Sequence, residues 1–222
     1  MVSSSSSGYG LLFCLLILLL VPFRSHSADP DPLQDFCLAN LNATSSVNGF
    51  PCKPVSAVTS EDFFFNGLSV EGNTSNVFDA AVTSANVFSF PGLNTQGMSM
   101  NRVDFATGGL NAPHSHPRSS EIGVVIKGKL LVGFVTTDNV FHSKVLTVGQ
   151  MFVIPRGLVH FQRNVGKGKA LAFTAFNSHF PGAVVLPTAL FASTPPLPNE
   201  VLTKAFQVED QVVNSIRSKF GA

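Results

Sequence analysis

Short apolar stretches rich in Val, Phe, Ile and Leu recur from Phe63 onward, and Gly, Pro, Asn and Thr separate them. This punctuation is typical of β-strands joined by turns, because branched and aromatic side chains fit a pleated, half-buried surface. The sequence therefore predicts an all-β fold in which the strands form a jelly-roll barrel. The predicted strands cover residues 77–90, 99–105, 122–135, 141–146, 151–154, 159–164 and 170–177.

The C-terminal part has a different pattern. A proline-rich connector at residues 194–198 is followed by Asn199, a good N-cap residue, and by a predicted helix over residues 200–220. An apolar stripe recurs there at helical spacing. It consists of Val201, Ala205, Val208, Val212 and Ile216. Such a stripe packs either on its own barrel or on a neighbouring subunit, and the pattern leaves both alternatives open.

The first 27 residues are predicted to be a secretory signal peptide. A serine-rich start precedes an apolar run over residues 11–21, and Pro22 and a small-residue stretch ending at Ser27 follow it. The run is shorter than the roughly 20 residues that a membrane-spanning helix needs. We therefore expect a secreted protein without a membrane span, cleaved after Ser27, with an N-terminal extension over residues 28–62.

The positions of the three cysteines agree with secretion. Cys14 leaves with the signal peptide, so the mature chain keeps Cys37 and Cys52. In an oxidising compartment we expect these two to form a disulfide rather than remain free thiols. A closed loop of about 15 residues is worth on the order of 3 kcal/mol in the chain-entropy model.

Two Asn-x-Ser/Thr sequons mark Asn42 and Asn73 as candidate N-glycosylation sites, both in polar segments. Either pattern also arises by chance. Asn73 is the stronger candidate because Gly72 and its polar neighbours indicate an exposed loop.

Composition narrows the class of protein further. With 222 residues and 45% hydrophobic content, the chain can form one main domain with a sizeable core. Its 14 basic and 13 acidic residues nearly balance, and no cluster of Lys and Arg appears. The sequence therefore lacks the electrostatic footprint of a nucleic-acid or anionic-membrane partner.

The strongest chemical signal begins with two histidines one residue apart. His114 and His116 point to the same side of an extended strand and can offer two imidazoles to one ion. Glu121 follows at an odd spacing, which in an unbroken strand would aim it at the other face. The turn-forming residues 117–120 must therefore reset the alternation.

A second stretch supplies another ligand. Pro155 and Gly157 predict a tight turn, after which Leu158, His160 and Gln162 share one face of a strand. His160 would complete a set of three imidazoles and one carboxylate, and Gln162 would line it. Such a set without thiolate suits manganese, iron, zinc or nickel rather than a closed structural zinc site.

The two stretches resemble the paired motifs of the cupin superfamily. The first motif, G-x5-H-x-H-x4-E-x6-G, covers residues 108–128, and the second, G-x5-P-x-G-x2-H-x3-N, covers residues 149–164. Together with residues 100–105, they resemble the germin and germin-like branch of secreted plant proteins. The resemblance covers the mature chain and implies a cupin domain at 63–215, with its barrel at 77–192 and C-terminal helices to about 220. It also implies manganese as the cofactor, bound by His114, His116, Glu121 and His160.

The resemblance further implies three candidate pocket residues, Asn101, Asn111 and Gln162, whose neutral amides would hydrogen-bond a small anionic substrate beside the metal. It implies a homo-oligomer as well, a hexamer built as a trimer of dimers, in the apoplast or cell wall. The first expectation for function is defence or cell-wall redox chemistry, with superoxide dismutation. Oxalate oxidation, and a non-enzymatic metal-binding wall or receptor-like role, are the alternatives.

Overall fold

The computed structural model describes residues 34–46 and 48–221. The predicted signal peptide therefore lies outside the described residues. In chain order the strands are β1 Ala80–Ala85, β2 Ser99–Phe105, β3 Leu110–Ser115, β4 Glu121–Lys127, β5 Lys129–Val135, β6 Phe141–Thr147, β7 Met151–Ile154, β8 Val159–Asn164, β9 Ala170–Phe176 and β10 Val184–Val185. The helices after them are α1 Leu186–Phe191, α2 Asn199–Phe206 and α3 Asp210–Ser218.

Two antiparallel sheets of five strands form the barrel. Their strand orders are β1-β2-β9-β4-β7 and β10-β3-β8-β5-β6. The predicted all-β barrel with a C-terminal helical extension is thus confirmed. Between the sheets lies an apolar core, because each strand turns alternate side chains inward. Its buried members are Val103, Phe105, Val125, Leu130, Val132, Leu146, Ile154, Ala170 and Ala172.

Two predicted strands were wrong in extent. The stretch 122–135 is divided into β4 and β5 at Gly128, which has φ +80°, and a Cβ there would lie 2.7 Å from that of Ala170. The stretch 77–90 shortens to β1, because Asp79 takes a positive φ of 51° before it and Ser89 accepts the N–H of Asn86 in a turn after it. Residues in turn conformations therefore interrupt both predicted strands, which the runs of apolar residues had made too long.

The N-terminal extension is fastened to the barrel. The predicted disulfide is confirmed between Cys37 and Cys52, which are 15 residues apart. Asn94, which is buried, donates to the carbonyl oxygen of Phe50 at 2.8 Å and accepts from its N–H at 3.1 Å. The extension therefore contacts the loop before β2. Its predicted boundary, residues 28–62 against 63–215, stays a prediction.

The predicted single helix over residues 200–220 is wrong, because α2 ends at Phe206 and the next residue, Gln207, caps it in the left-handed conformation at φ 54°. Asn199 is the first residue of α2 rather than its N-cap, and its side chain donates to Asn214 on α3 at 3.0 Å. The buried residues of the two helices are Leu202 and Val213.

In the predicted stripe, Val201 and Val212 are exposed, so these two residues do not pack on the chain's own barrel, and packing on a neighbouring subunit stays a prediction. Among the described residues, no helix combines the length and the apolar content that a membrane span needs.

Candidate metal centre

The structure brings the four predicted ligands together between the two sheets. His114 lies in β3, His116 directly follows that strand, Glu121 begins β4 and His160 lies in β8. One ligand atom from each lies within 4.8 Å of the others. All four residues are between 1% and 6% exposed. The cluster is therefore a candidate metal site inside the barrel.

Strand pairing explains this convergence. His114 stands opposite His160 in the β3–β8 ladder, after a register shift between Asn111 and His114. Glu121 comes from the other sheet, where it pairs with Phe176 of β9. The turn at residues 117–118 joins the sheets and resets the side-chain alternation. This is the reset that the odd spacing of Glu121 required.

Backbone carbonyls fix the tautomer of each imidazole. The Nδ1 atoms of His114, His116 and His160 lie 2.8, 2.5 and 2.8 Å from the carbonyl oxygens of Ala112, Gly182 and Leu158. A carbonyl oxygen only accepts hydrogen bonds, so each Nδ1 must carry the proton. In the neutral rings, the lone pair is then on Nε2. This is the arrangement that ligand-orienting hydrogen bonds give to metal-binding histidines.

The position of the carboxylate tests whether a cation fits. Oε2 of Glu121 lies 3.2 Å from Nε2 of His116 and 2.9 Å from Nε2 of His160. A neutral Nε2 and a carboxylate oxygen both present lone pairs, so they repel at this distance unless a proton or a cation lies between them. A buried carboxylate also needs a compensating charge. The donor set of three nitrogens and one oxygen therefore fits a divalent metal ion.

The electrostatics of the metal-free cluster favour the same protonation states. Burial, and then the charge of His160, lower the pKa of His114 to about 4. Burial would raise the pKa of Glu121, but hydrogen bonds from His116 and His160, which need a proton on each Nε2 in the place that a metal ion would take, outweigh burial and lower that pKa to about 2. At neutral pH, His114 is thus uncharged and Glu121 ionised, which are the states that bind metal.

A cavity of about 270 Å³ leads to the cluster, and His114, His116 and Glu121 form part of its lining. Two of the three predicted pocket amides, Asn101 and Asn111, line the same cavity. No Lys or Arg is among its lining residues. A ligand in this cavity would therefore meet neutral amides and the metal site together.

The third predicted pocket residue, Gln162, lies behind the cavity wall and is 1% exposed. Its Oε1 accepts the side-chain amide of Asn111 at 2.7 Å, and its own amide donates to Oε1 of Glu121 at 3.3 Å. The side chains of Asn111, Gln162 and Glu121 are therefore linked in series by hydrogen bonds, and the last of them belongs to the metal cluster. The substrate roles of the three amides stay predictions.

Some functional contacts had no signal in the sequence. The carbonyl of Gly182, which accepts from His116, lies 66 residues further along the chain.

Outside the barrel, the predicted glycosylation sites Asn42 and Asn73 are both exposed. Their occupancy stays a prediction.

Two antiparallel sheets that enclose a cluster of three histidines and a glutamate define a cupin, and residues 66–214 match the family model described as Cupin. Over 206 residues, the chain is 58% identical to germin-like protein subfamily T member 2 of Arabidopsis thaliana, with 93% of each chain covered. Over 210 residues, it is 52% identical to oxalate oxidase 2 of Hordeum vulgare, again with 93% of each covered.

A solved structure gives the same picture. Oxalate oxidase in complex with the substrate analogue glycolate superposes with a TM-score of 0.84 at 53% identity, covering 86% of this chain and 98% of that one. The chain belongs to the germin-like proteins of the cupin superfamily.

Proposed function

We propose that this germin-like protein binds one manganese ion per subunit and carries out redox chemistry on small anions outside the plant cell, with superoxide dismutation as its main activity. The observation that carries the proposal is the buried cluster of His114, His116, Glu121 and His160 at the base of an accessible cavity. Glu121 and the three Nε2 atoms offer one negative charge and four donor atoms to a single ion.

Manganese is the metal that the family resemblance implies. Intrinsic affinity orders favour later divalent metals for such donors, so supply in the compartment where the protein folds would have to favour manganese. When bound, manganese would supply one-electron redox chemistry by alternating between two oxidation states. The residues of the chain hold it: the carbonyls of Ala112, Leu158 and Gly182 orient the imidazoles, and Gln162 orients the carboxylate.

Small anions suit the cavity. A divalent cation with one carboxylate ligand leaves a net positive charge at its base. Val82, Val103 and Val185 contribute apolar surface to the cavity wall, which lowers the local dielectric and strengthens that attraction. Superoxide needs only access to such a site, so dismutation makes the fewest demands on the surrounding residues.

Oxalate oxidation is the second candidate, because Asn101 and Asn111 line the cavity and a relative solved with glycolate is named an oxalate oxidase. One amide N–H of Asn111 is already donated to Gln162, which leaves one for a substrate carboxylate. Oxalate must be held in a single pose, and an error near 1 Å can cost about a hundredfold in rate.

Export and assembly are part of the proposal. The disulfide between Cys37 and Cys52 fits an oxidising compartment. On the outer face of the first sheet, the apolar side chains of Met100, Ile122, Met151 and Val153 are exposed. A contiguous apolar surface of this kind is typical of a subunit interface. It supports a homo-oligomer, which by the germin resemblance is a hexamer built as a trimer of dimers.

The activity test compares superoxide removal with peroxide release from oxalate, using the purified, manganese-loaded protein. We expect dismutation that disappears in His116→Ala, and little peroxide from oxalate. Robust peroxide release from oxalate, abolished in Asn101→Ala with manganese retained, would instead make oxalate oxidation the function.

A further inference from the structure

Residues 177–183, between β9 and β10, form one wall of the metal cavity. Four consecutive members of this segment, Phe180, Pro181, Gly182 and Ala183, line the cavity. Phe180 is 38% exposed, so its ring lies at the boundary between the cavity and the solvent. The segment therefore limits what reaches the metal cluster from this side.

The turn that resets the strand alternation holds this segment in place. Arg118 donates from Nε to the carbonyl of Phe180 at 2.8 Å and from its backbone N–H to the carbonyl of Pro181 at 3.2 Å. Its guanidinium carbon lies 4.9 Å from the centroid of the Phe180 ring, within cation–π range. At Gly182, φ is +69°, and a Cβ would lie 2.7 Å from Nη2 of Arg118. Arg118 therefore fixes both the backbone and the ring.

A second aromatic ring also packs against Phe180. Phe88 packs edge-on against it with ring centroids 4.9 Å apart, and Phe50 packs edge-on against Phe88 at 5.6 Å. Phe50 belongs to the disulfide-bonded extension, and Asn94 holds its backbone. The ring of Phe180 thus contacts a cation and an aromatic pair, and a rearrangement of the ring would break both contacts.

The start of the segment is fixed as well. Asn177 accepts from the hydroxyl of Ser119 at 2.8 Å and from the N–H of Ser120 at 2.9 Å. At the other end, the carbonyl of Gly182 accepts from Nδ1 of His116. Hydrogen bonds therefore join this wall segment both to the turn before β4 and to the ligand His116. Because of them, the fold sets the distance between the Phe180 ring and the metal cluster.

We propose that Phe180, held by Arg118 and Phe88, is the residue that sets the size limit of the metal cavity, admitting diatomic anions and short carboxylates and excluding longer dicarboxylates. The proposal rests on the proposed function for the nature of the ligand. Its physical basis is independent of the metal, because a rigid ring at a cavity entrance excludes bulky molecules by steric contact.

The first experiment needs no metal. In the metal-free protein, diethyl pyrocarbonate modifies accessible imidazoles, and mass spectrometry of peptides reads His114, His116 and His142 separately. We expect Phe180→Ala to speed modification of the two cavity histidines by about tenfold, and Phe180→Leu to have a smaller effect. His142, on the exposed strand β6, is the internal standard. Phe141→Ala, which removes another exposed ring outside the cavity lining, is the matched control and should behave as wild type.

The second experiment uses the manganese-loaded protein and calorimetric titration with azide, glycolate, malonate and succinate. In wild type, we expect affinity to fall steeply along this series. In Phe180→Ala, succinate should bind about tenfold more tightly than in wild type, with azide affinity nearly unchanged. Phe141→Ala should keep the wild-type order.

The two experiments separate the two claims. Unchanged histidine modification in both Phe180 variants, with native thermal stability, would overturn the role of Phe180 whatever the metal content. A protein that takes up no manganese but shows faster modification in Phe180→Ala would support the size limit and contradict the proposed function.

Discussion

Gln162 donates its side-chain amide to Oε1 of Glu121 at 3.3 Å, while Oε2 of the same carboxylate faces His116 and His160. One oxygen of Glu121 is therefore oriented by an amide, and the other is directed at the imidazoles. Gln162 itself is fixed by the amide of Asn111. From these hydrogen bonds we predict that Gln162 positions Glu121 in the metal cluster, while its predicted contact with a substrate stays a prediction.

Replacing Gln162 by Leu should weaken manganese binding by about 10- to 100-fold, because Glu121 loses the donor that orients it. The loss should appear in the metal dissociation constant, measured by competition with a chelator. Gln96→Leu, which changes an exposed glutamine in the loop before β2, is the control and should bind manganese as wild type does. Equal affinities in Gln162→Leu and wild type would contradict the positioning role.

The metal-free protein should lose stability on acidification. The pKa of His114 is lowered from 6.5 to about 4, so between these values the unfolded chain binds a proton that the folded protein does not. Stability is therefore full above pH 6.5 and falls by about 3 kcal/mol as the pH drops to 4. The pKa of Glu121, lowered from 4.5 to about 2, adds a loss in the same direction below pH 4.5.

Denaturant unfolding of the metal-free protein at a series of pH values measures this effect. In His114→Gln, the part of the decline between pH 6.5 and 4 should shrink, because that imidazole is gone. A wild-type curve that stays flat down to pH 4 would show that the folded cluster takes up protons as readily as the unfolded chain.

The exposed apolar face of the first sheet should mediate assembly. A lysine at Ile122 would place a charge within that face, and burying an uncompensated charge is strongly unfavourable. We expect Ile122→Lys to dissociate the oligomer to smaller species in light scattering. Val140→Lys, at an exposed apolar position beside β6, should leave the mass unchanged. If both variants and wild type are monomers, the proposed assembly is wrong.

Much of the site could be predicted from the sequence because the positions of its ligands follow from the spacing of residues that are close together in the chain. The alternation of side chains placed His114 and His116 on one side, and the turn at 117–118 was required by the spacing of Glu121 alone. Pro155 and Gly157 marked the turn before His160 in the same way. Cys37 and Cys52 could be paired because only these two cysteines follow the predicted cleavage site.

Other features depend on contacts that the local pattern does not encode. The carbonyl of Gly182 reaches His116 only after the chain has crossed the barrel. The break at Gln207 has no Gly or Pro to mark it, so the apolar periodicity was read across it and predicted one continuous helix instead of two. Gly128 was recognised as the end of the first motif, but its close approach to Ala170 becomes visible only in the folded sheet.

Elemental analysis of the secreted protein, purified without added metal or chelator, tests the central claim most directly. We expect about one manganese per subunit in wild type and in His142→Ala, which changes a histidine of β6 outside the cluster. His116→Ala should contain almost none, because it removes one of the four donors. Stoichiometric zinc or iron in the wild-type protein, or unchanged manganese content in His116→Ala, would contradict the assignment of these residues as a manganese site.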